Sequence, residues 1–331
     1  MFRITARTVL ELGSELISSD IIAFYELIKN GFDAGTKHGV EVLFDIVLPK
    51  AVGQRLAREA GRLDAKSDDL AEQIVQLKAL IDAEILDSAS EEARASFRSM
   101  INAAQSPADL VGALAEAGRR FNTITIKDTG SGMSVRDLED NFLVIGTGSR
   151  KKAVDAALAS GAGTTPYLGE KGIGRLSAMR LGERLRVETA TASDTRFNLL
   201  DIDWTVFNTV DAMLDEIDVK PSIGSEKPSR DWSGTAITIS DLSENWFKDR
   251  VFEMGDKEFS RLTDPFEDPG ARPRIAVFWN GDRVPVSSMS GSLLEAAHAH
   301  VSGRYVVIEN EPRLEITTDI ADLGLTHPRE V

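Results

Sequence analysis

Apolar residues at Ile17, Ile21, Phe24 and Ile28 recur at intervals of four, three and four, which is one stripe of an α-helix. Opposite that stripe lie Glu26, Asn30 and Asp33, within about 60° of one another on a helical wheel. The period then changes, and VEVLFDIVL (40–48) reads as a strand. From residue 52 to 119 the chain is rich in Ala, Leu, Glu and Arg and poor in Gly, Pro and β-branched residues. Leu70, Ile74, Leu77, Ile81 and Ile85 form a helical seam there. This block reads as two to four helices inserted into sheet-forming sequence, because a strand pattern resumes at once in FNTITIKD (121–128).

Beyond it come a glycine turn, TGSGMS, and a helix start with Ser134 as N-cap. A Gly-, Ser- and Thr-rich segment follows from Gly146 to Gly174. RLRVETAT (184–191) and GTAITISDL (234–242) alternate as strands do. TDPFEDPGARP (263–273), with three prolines, reads as a linker. RIAVFWNGDRVPV then predicts a hairpin turning at Asn280-Gly281. The reading is therefore an α+β protein, with a first domain over 1–250 and the start of a second, smaller α/β unit over 263–331.

Composition narrows the chemistry. The chain has 331 residues, no cysteine and a net charge of −15. That charge opposes general attraction to DNA or anionic lipid, although Arg150, Lys151 and Lys152 form a local basic patch. Disulfides and thiolate metal sites are excluded. No run of eighteen apolar residues predicts a membrane span, and the charged N-terminus does not resemble a secretory signal, so a cytoplasmic location is expected. His298 and His300 are the one close histidine pair. They sit in LLEAAHAHV, which reads as helix, where they diverge, so no zinc site is expected.

Four motifs carry candidate chemistry. In YELIKNGFDA (25–34) the polar row fits a solvated helix face or a row of functional side chains; Gly31, which costs about 1 kcal/mol against Ala in a helix interior, fits the former poorly. In KDTGSGM, Asp128 ends a strand and Gly130 and Gly132 let backbone approach a flat ligand. An ionised carboxylate only accepts hydrogen bonds, which suits an exocyclic amine. In LGEKGIGRLSAM, Gly169, Gly172 and Gly174 lead into a helix whose N-terminal N–H groups suit an anion, and Lys171 adds a point charge. No Walker A or Rossmann fingerprint is present. Gly234-Thr235 opens a strand and is informative only through its order after the others.

Taken together, ELIKNGFDA, DTGSGM, GEKGIGRLSAM and GTAITI resemble, in order, the N, G1, G2 and G3 boxes of the GHKL ATPases, the superfamily of gyrase, HtpG-type chaperones, histidine kinases and MutL. The resemblance spans about residues 10 to 245, apart from the helical block. It is closest to the chaperone, MutL and MORC side, because Glu26 stands four residues before Asn30.

The resemblance implies the Bergerat fold, a layer of helices on a mixed, mostly antiparallel sheet, binding ATP with Mg²⁺. It implies Glu26 as the general base, Asn30 as the Mg²⁺ ligand and Asp33 ordering the pocket. Asp128 would take the adenine amine, assisted through water by Thr235, with Gly130, Gly132 and Met133 against the base. Residues 146–170, from Gly146 and Thr147 to Gly169, would form the ATP lid. Lys171, Gly172, Ile173 and Gly174 would face the phosphates. A nucleotide-gated switch that dimerises through the ATPase domain is the implied function, with a chaperone-like or bacterial-defence role as its setting and a partner protein or effector domain as its readout. The alternatives are an ATP-binding interaction module with little turnover, and a histidine-kinase-type enzyme; only about 25 residues precede Glu26, which leaves no room for a phosphoacceptor helix. The Lys or Arg that reaches the γ-phosphate in the chaperone and MutL groups has no counterpart that the sequence identifies.

Overall fold

The computed structural model describes residues 4–144, 174–208, 212–262, 274–286, 299–308, 311–320 and 325–330. Helices α1 (Ala6–Leu16) and α2 (Asp20–Asp33) precede β1 (Val40–Asp45). Four helices follow: α3 (Lys50–Gly61), α4 (Leu70–Ala83), α5 (Glu91–Ala103) and α6 (Pro107–Phe121). They lead directly into β2 (Thr123–Asp128), and a single turn, α7 (Val135–Asp137), comes after it. After the undescribed stretch lie α8 (Ala178–Leu181), β3 (Gly182–Ala190), β4 (Arg196–Asp203), β5 (Ser222–Glu226), β6 (Gly234–Leu242), α9 (Lys248–Lys257), β7 (Ile275–Trp279) and β8 (Asp282–Val284).

These eight strands form one sheet in the order β5-β4-β3-β6-β2-β1-β7-β8, antiparallel throughout except where β7 runs parallel to β1. One face carries Val42, Phe44, Ile124, Ile126, Val187, Ile237 and Val277, all buried beneath the helices. The other carries polar pairs such as Arg184–Asp203 and Arg186–Asp201. The result is a two-layer α+β sandwich with the sheet topology expected of a Bergerat fold.

Helix α2 is tied to the neighbouring helices α8 and α9 at its N-terminal end. Ser19 caps it, accepting from Ile22 N at 3.3 Å. Asp20, 8% exposed in the first turn, receives Arg180 Nε at 2.9 Å and Arg250 Nη2 at 2.6 Å. Farther along, Phe24 packs on Phe44 and edge-on to Trp246 and Phe259, with ring centroids 5.6–5.7 Å away. The buried stripe is Asp20, Ala23, Phe24, Leu27, Ile28 and Gly31, so Leu27 joins it, whereas Ile17 caps the end of α1.

The inserted block has its own apolar core, built on Leu56, Ile81, Phe97, Ile101, Leu110 and Leu114. It runs as four helices over 50–121, slightly wider than the expected 52–119. Buried Asn122 joins it to the sheet: its Oδ1 accepts Val47 N and its Nδ2 donates to Leu48 O. That junction ends β1 at Asp45, so Ile46–Leu48 are buried lead-in to α3 and not strand.

Two expectations are corrected. The 275–284 hairpin turns at Asn280-Gly281 as read, both residues having positive φ, but it belongs to the first sheet and does not open a second unit. Its Val277 and Trp279 fill the same core, and Val40 N donates to Arg274 O at 2.8 Å. His300, expected on a helix, lies on β9 (Ala299–Ile308), which pairs with β10 (Glu311–Ile320) and through it β11 (Leu325–Glu330). From residue 299 on, the described residues form this three-stranded sheet. Its β-branched and aromatic residues (Val301, Tyr305, Val306, Val307) favour the extended form over the helix that Ala and His suggested.

Candidate functional site

Gly31 determines how α2 meets the sheet. A Cβ there would lie 2.6 Å from Val40 Cγ2 and 3.2 Å from Asp128 Cβ, so only glycine lets the helix settle this close to β1 and β2. The helix thereby brings its C-terminal turn, which also carries Asn30 and Asp33, up to the end of β2 through Gly31. Glu26, one turn earlier than Asn30, is partly exposed, with Lys29 Nζ 3.8 Å from Oε1.

Beyond Asp128 the chain doubles back through its glycines. Gly130 passes so close to Ala34 that a Cβ would meet its carbonyl oxygen at 2.5 Å, and Ser131 N donates to that oxygen at 2.9 Å. Gly132 has φ +66° and faces Ala190 O, where a Cβ would collide. Asp128 Oδ1 accepts Gly130 N at 2.8 Å. Across the ladder Asp128 is the register partner of Thr235. Burial pushes the Asp128 carboxyl up from 3.8 to about 6, against the lowering effect of hydrogen bonds from the Gly130 and Thr235 backbone. Asp128 is half-buried at the end of β2, beside the glycine turn.

The structure thus brings Gly31, Asp128, Gly130, Gly132, Met133 and Thr235 together around the end of β2, while Glu26, Asn30 and Asp33 lie on α2, the helix that packs there through Gly31. Gly174 heads a short 3₁₀ turn, Gly174–Ser177, that continues into α8. Gly146, Thr147, Gly169, Lys171, Gly172 and Ile173, the expected lid at 146–170 and the Arg150–Lys152 patch lie outside the described residues. Ser134 caps α7 in a reciprocal box with Asp137, as its sequence indicates.

Sequence reasoning missed the residues behind the site. Thr189 accepts Met133 N at 2.9 Å, and Asn198 Nδ2 donates to Met133 O at 2.9 Å, so both backbone polar groups of Met133 are held. Ser233 Oγ donates to Gly130 O at 2.7 Å. Lys227 Nζ donates to Thr191 O, Arg230 O and Trp232 O at 2.8–2.9 Å, drawing together the β3–β4 and β5–β6 loops that flank the glycine turn. A strand threonine and a loop lysine carry no local signal; only the register Thr189↔Thr235 reveals the first.

A helix bearing Glu, Asn and Asp, laid against a strand whose last residue opens a D-T-G-x-G turn on such a sheet, is the arrangement consistent with a Bergerat fold. Residues 98–235 match the family model described as histidine kinase-, DNA gyrase B-, and HSP90-like ATPase. The match takes in Asp128, the glycine turn and Thr235; it begins within α5, after α2. Among solved structures the chain is similar to the ATPase region of Saccharomyces cerevisiae topoisomerase II, at 16% identity and a TM-score of 0.31, over 60% of this chain and 49% of that one. The chain therefore spans about half the length of that relative. No curated protein matches it.

Proposed function

We propose that the chain binds ATP with Mg²⁺ at the end of β2, hydrolyses it, and uses the nucleotide as a conformational and dimerisation switch. The observation that supports this best is the half-buried Asp128 carboxyl group, held beside the C-terminal turn of α2 by the glycine packing at Gly31 and Gly130. Asp128 accepts the adenine amine, and Met133 packs on the base.

Among the described residues no cluster of three His, Asp or Glu side chains is positioned to hold a metal. A single amide oxygen from Asn30 fits Mg²⁺, which keeps waters and takes phosphate oxygens for its other positions. Bound there, the ion would neutralise charge developing on the phosphates. Glu26, on the same face one turn away, accepts the proton of the attacking water at its carboxylate. Asp33 orders the pocket, and the phosphate-binding role that the sequence resemblance implies falls to the glycines of 169–174 with Lys171. The helical block over 50–121, with a core of its own, is an arm for a partner or for the second subunit.

The test is phosphate release by wild type and Glu26→Ala, each with calorimetric ATP binding. Binding retained with turnover lost supports the reading. Binding with equal turnover in both removes Glu26 as the base, and binding without turnover in wild type favours a nucleotide-binding interaction module.

A further inference from the structure

We infer that Thr189 is a positioning residue that makes the base site selective for a 6-amino over a 6-oxo purine, by fixing which way the Thr235 hydroxyl points. The inference rests on the nucleotide reading above and deepens it. Thr189 is fully buried on β3, directly across the ladder from Thr235. Its hydroxyl makes three contacts at 2.9 Å: it accepts Met133 N–H, donates to Gly234 O, and meets Thr235 Oγ1.

A hydroxyl has one hydrogen and two lone pairs. With that hydrogen on the Gly234 carbonyl and one lone pair taken by Met133 N–H, Thr189 has one acceptor position left. The Thr235 hydroxyl is therefore the donor in their contact. Its hydrogen is turned inward, and only its lone pairs remain for whatever stands beside Asp128. Asp128, when ionised, is also an acceptor. The end of β2 then presents two acceptors side by side, matched to the hydrogens of an exocyclic amine or to a water that donates to both. A carbonyl at the same ring position meets lone pairs on both sides, and a site whose polar groups are left unpaired rejects such an analogue strongly.

Thr189→Val keeps shape and burial but removes the hydroxyl. Thr235 is then free to rotate and donate, so a 6-oxo base is tolerated. The experiment measures affinities for ATP and inosine triphosphate by calorimetry in wild type, Thr189→Val and Thr189→Ser. The expected result is a narrowing of the ATP-to-inosine ratio by about tenfold in Thr189→Val, the scale of one hydrogen bond, with the ratio restored in Thr189→Ser. An unchanged ratio, or an equal loss for both nucleotides, overturns the inference and leaves Thr189 a structural tie. Should Thr189→Val fail to fold, Thr235→Val decides by sign: removal of an acceptor narrows the ratio, whereas a widened or unchanged ratio means that Thr235 is not held as an acceptor. If wild type binds neither nucleotide, the nucleotide reading itself falls, an outcome distinct from all of these.

Discussion

Replacing Asp128 by Asn separates what this residue does for binding from what it costs the fold. The Asp128 carboxyl is raised from 3.8 to about 6 by burial. A group whose folded pKa exceeds its unfolded value holds its proton more tightly in the native state. Its favourable contribution is therefore complete below about pH 4 and is lost as pH rises through about 6. The difference between the two values corresponds to about 3 kcal/mol, an upper figure because solvent reaches part of the carboxylate. Asn keeps an oxygen to accept Gly130 N and has no charge to bury. Urea denaturation of wild type and Asp128→Asn at pH 4 and pH 7.5 is the assay. The stability difference between the two proteins should move in favour of Asn by up to about 3 kcal/mol from the lower pH to the higher. ATP binding should fall at the same time by roughly ten- to a hundredfold, the value of a hydrogen bond to a charged group. A stability difference that does not vary with pH, or one that moves toward Asp at pH 7.5, refutes the reasoning.

Three further outcomes follow from the packing. Gly31→Ala gains about 1 kcal/mol of helix propensity but drives a methyl into Val40, so it should destabilise by a net 1–2 kcal/mol, roughly, and weaken ATP binding by shifting Asp128; thermal melts and calorimetry check both. Lys227→Met leaves the Thr191, Arg230 and Trp232 carbonyls without their shared donor, and chemical denaturation should show a loss of about 1–3 kcal/mol. Phe24→Ala opens a cavity among Phe44, Trp246 and Phe259 and should cost about 3–5 kcal/mol in the same assay.

What could be read beforehand follows from range. Helix α2, β1, β2, the four-helix block and the Asn280-Gly281 turn each rest on patterns within about fifteen residues, and each is visible in the chain. The polar row on α2 was ambiguous until Gly31 proved to be the contact with Val40 and Asp128. The placement of β7 was not legible, because its parallel pairing with β1 links Val42 to Val277 across the whole first domain, and nothing local distinguishes that hairpin from the start of another unit. Strands β4 and β5 were missed for a related reason: Arg196–Asp203 mixes Asn and Asp among its apolar residues, and Ser222–Glu226 is a short, polar edge. Thr189 and Asn198 gain their meaning only from the strands beside them.

The central question is whether the end of β2 holds an adenine nucleotide. Calorimetric titration of ATP into wild type, Glu26→Ala and Asp128→Asn tests that most directly. The prediction is saturable binding to wild type and Glu26→Ala with similar affinity, and a loss of roughly tenfold or more in Asp128→Asn. Binding that is indifferent to Asp128, or wild-type protein that takes up no ATP, would contradict it.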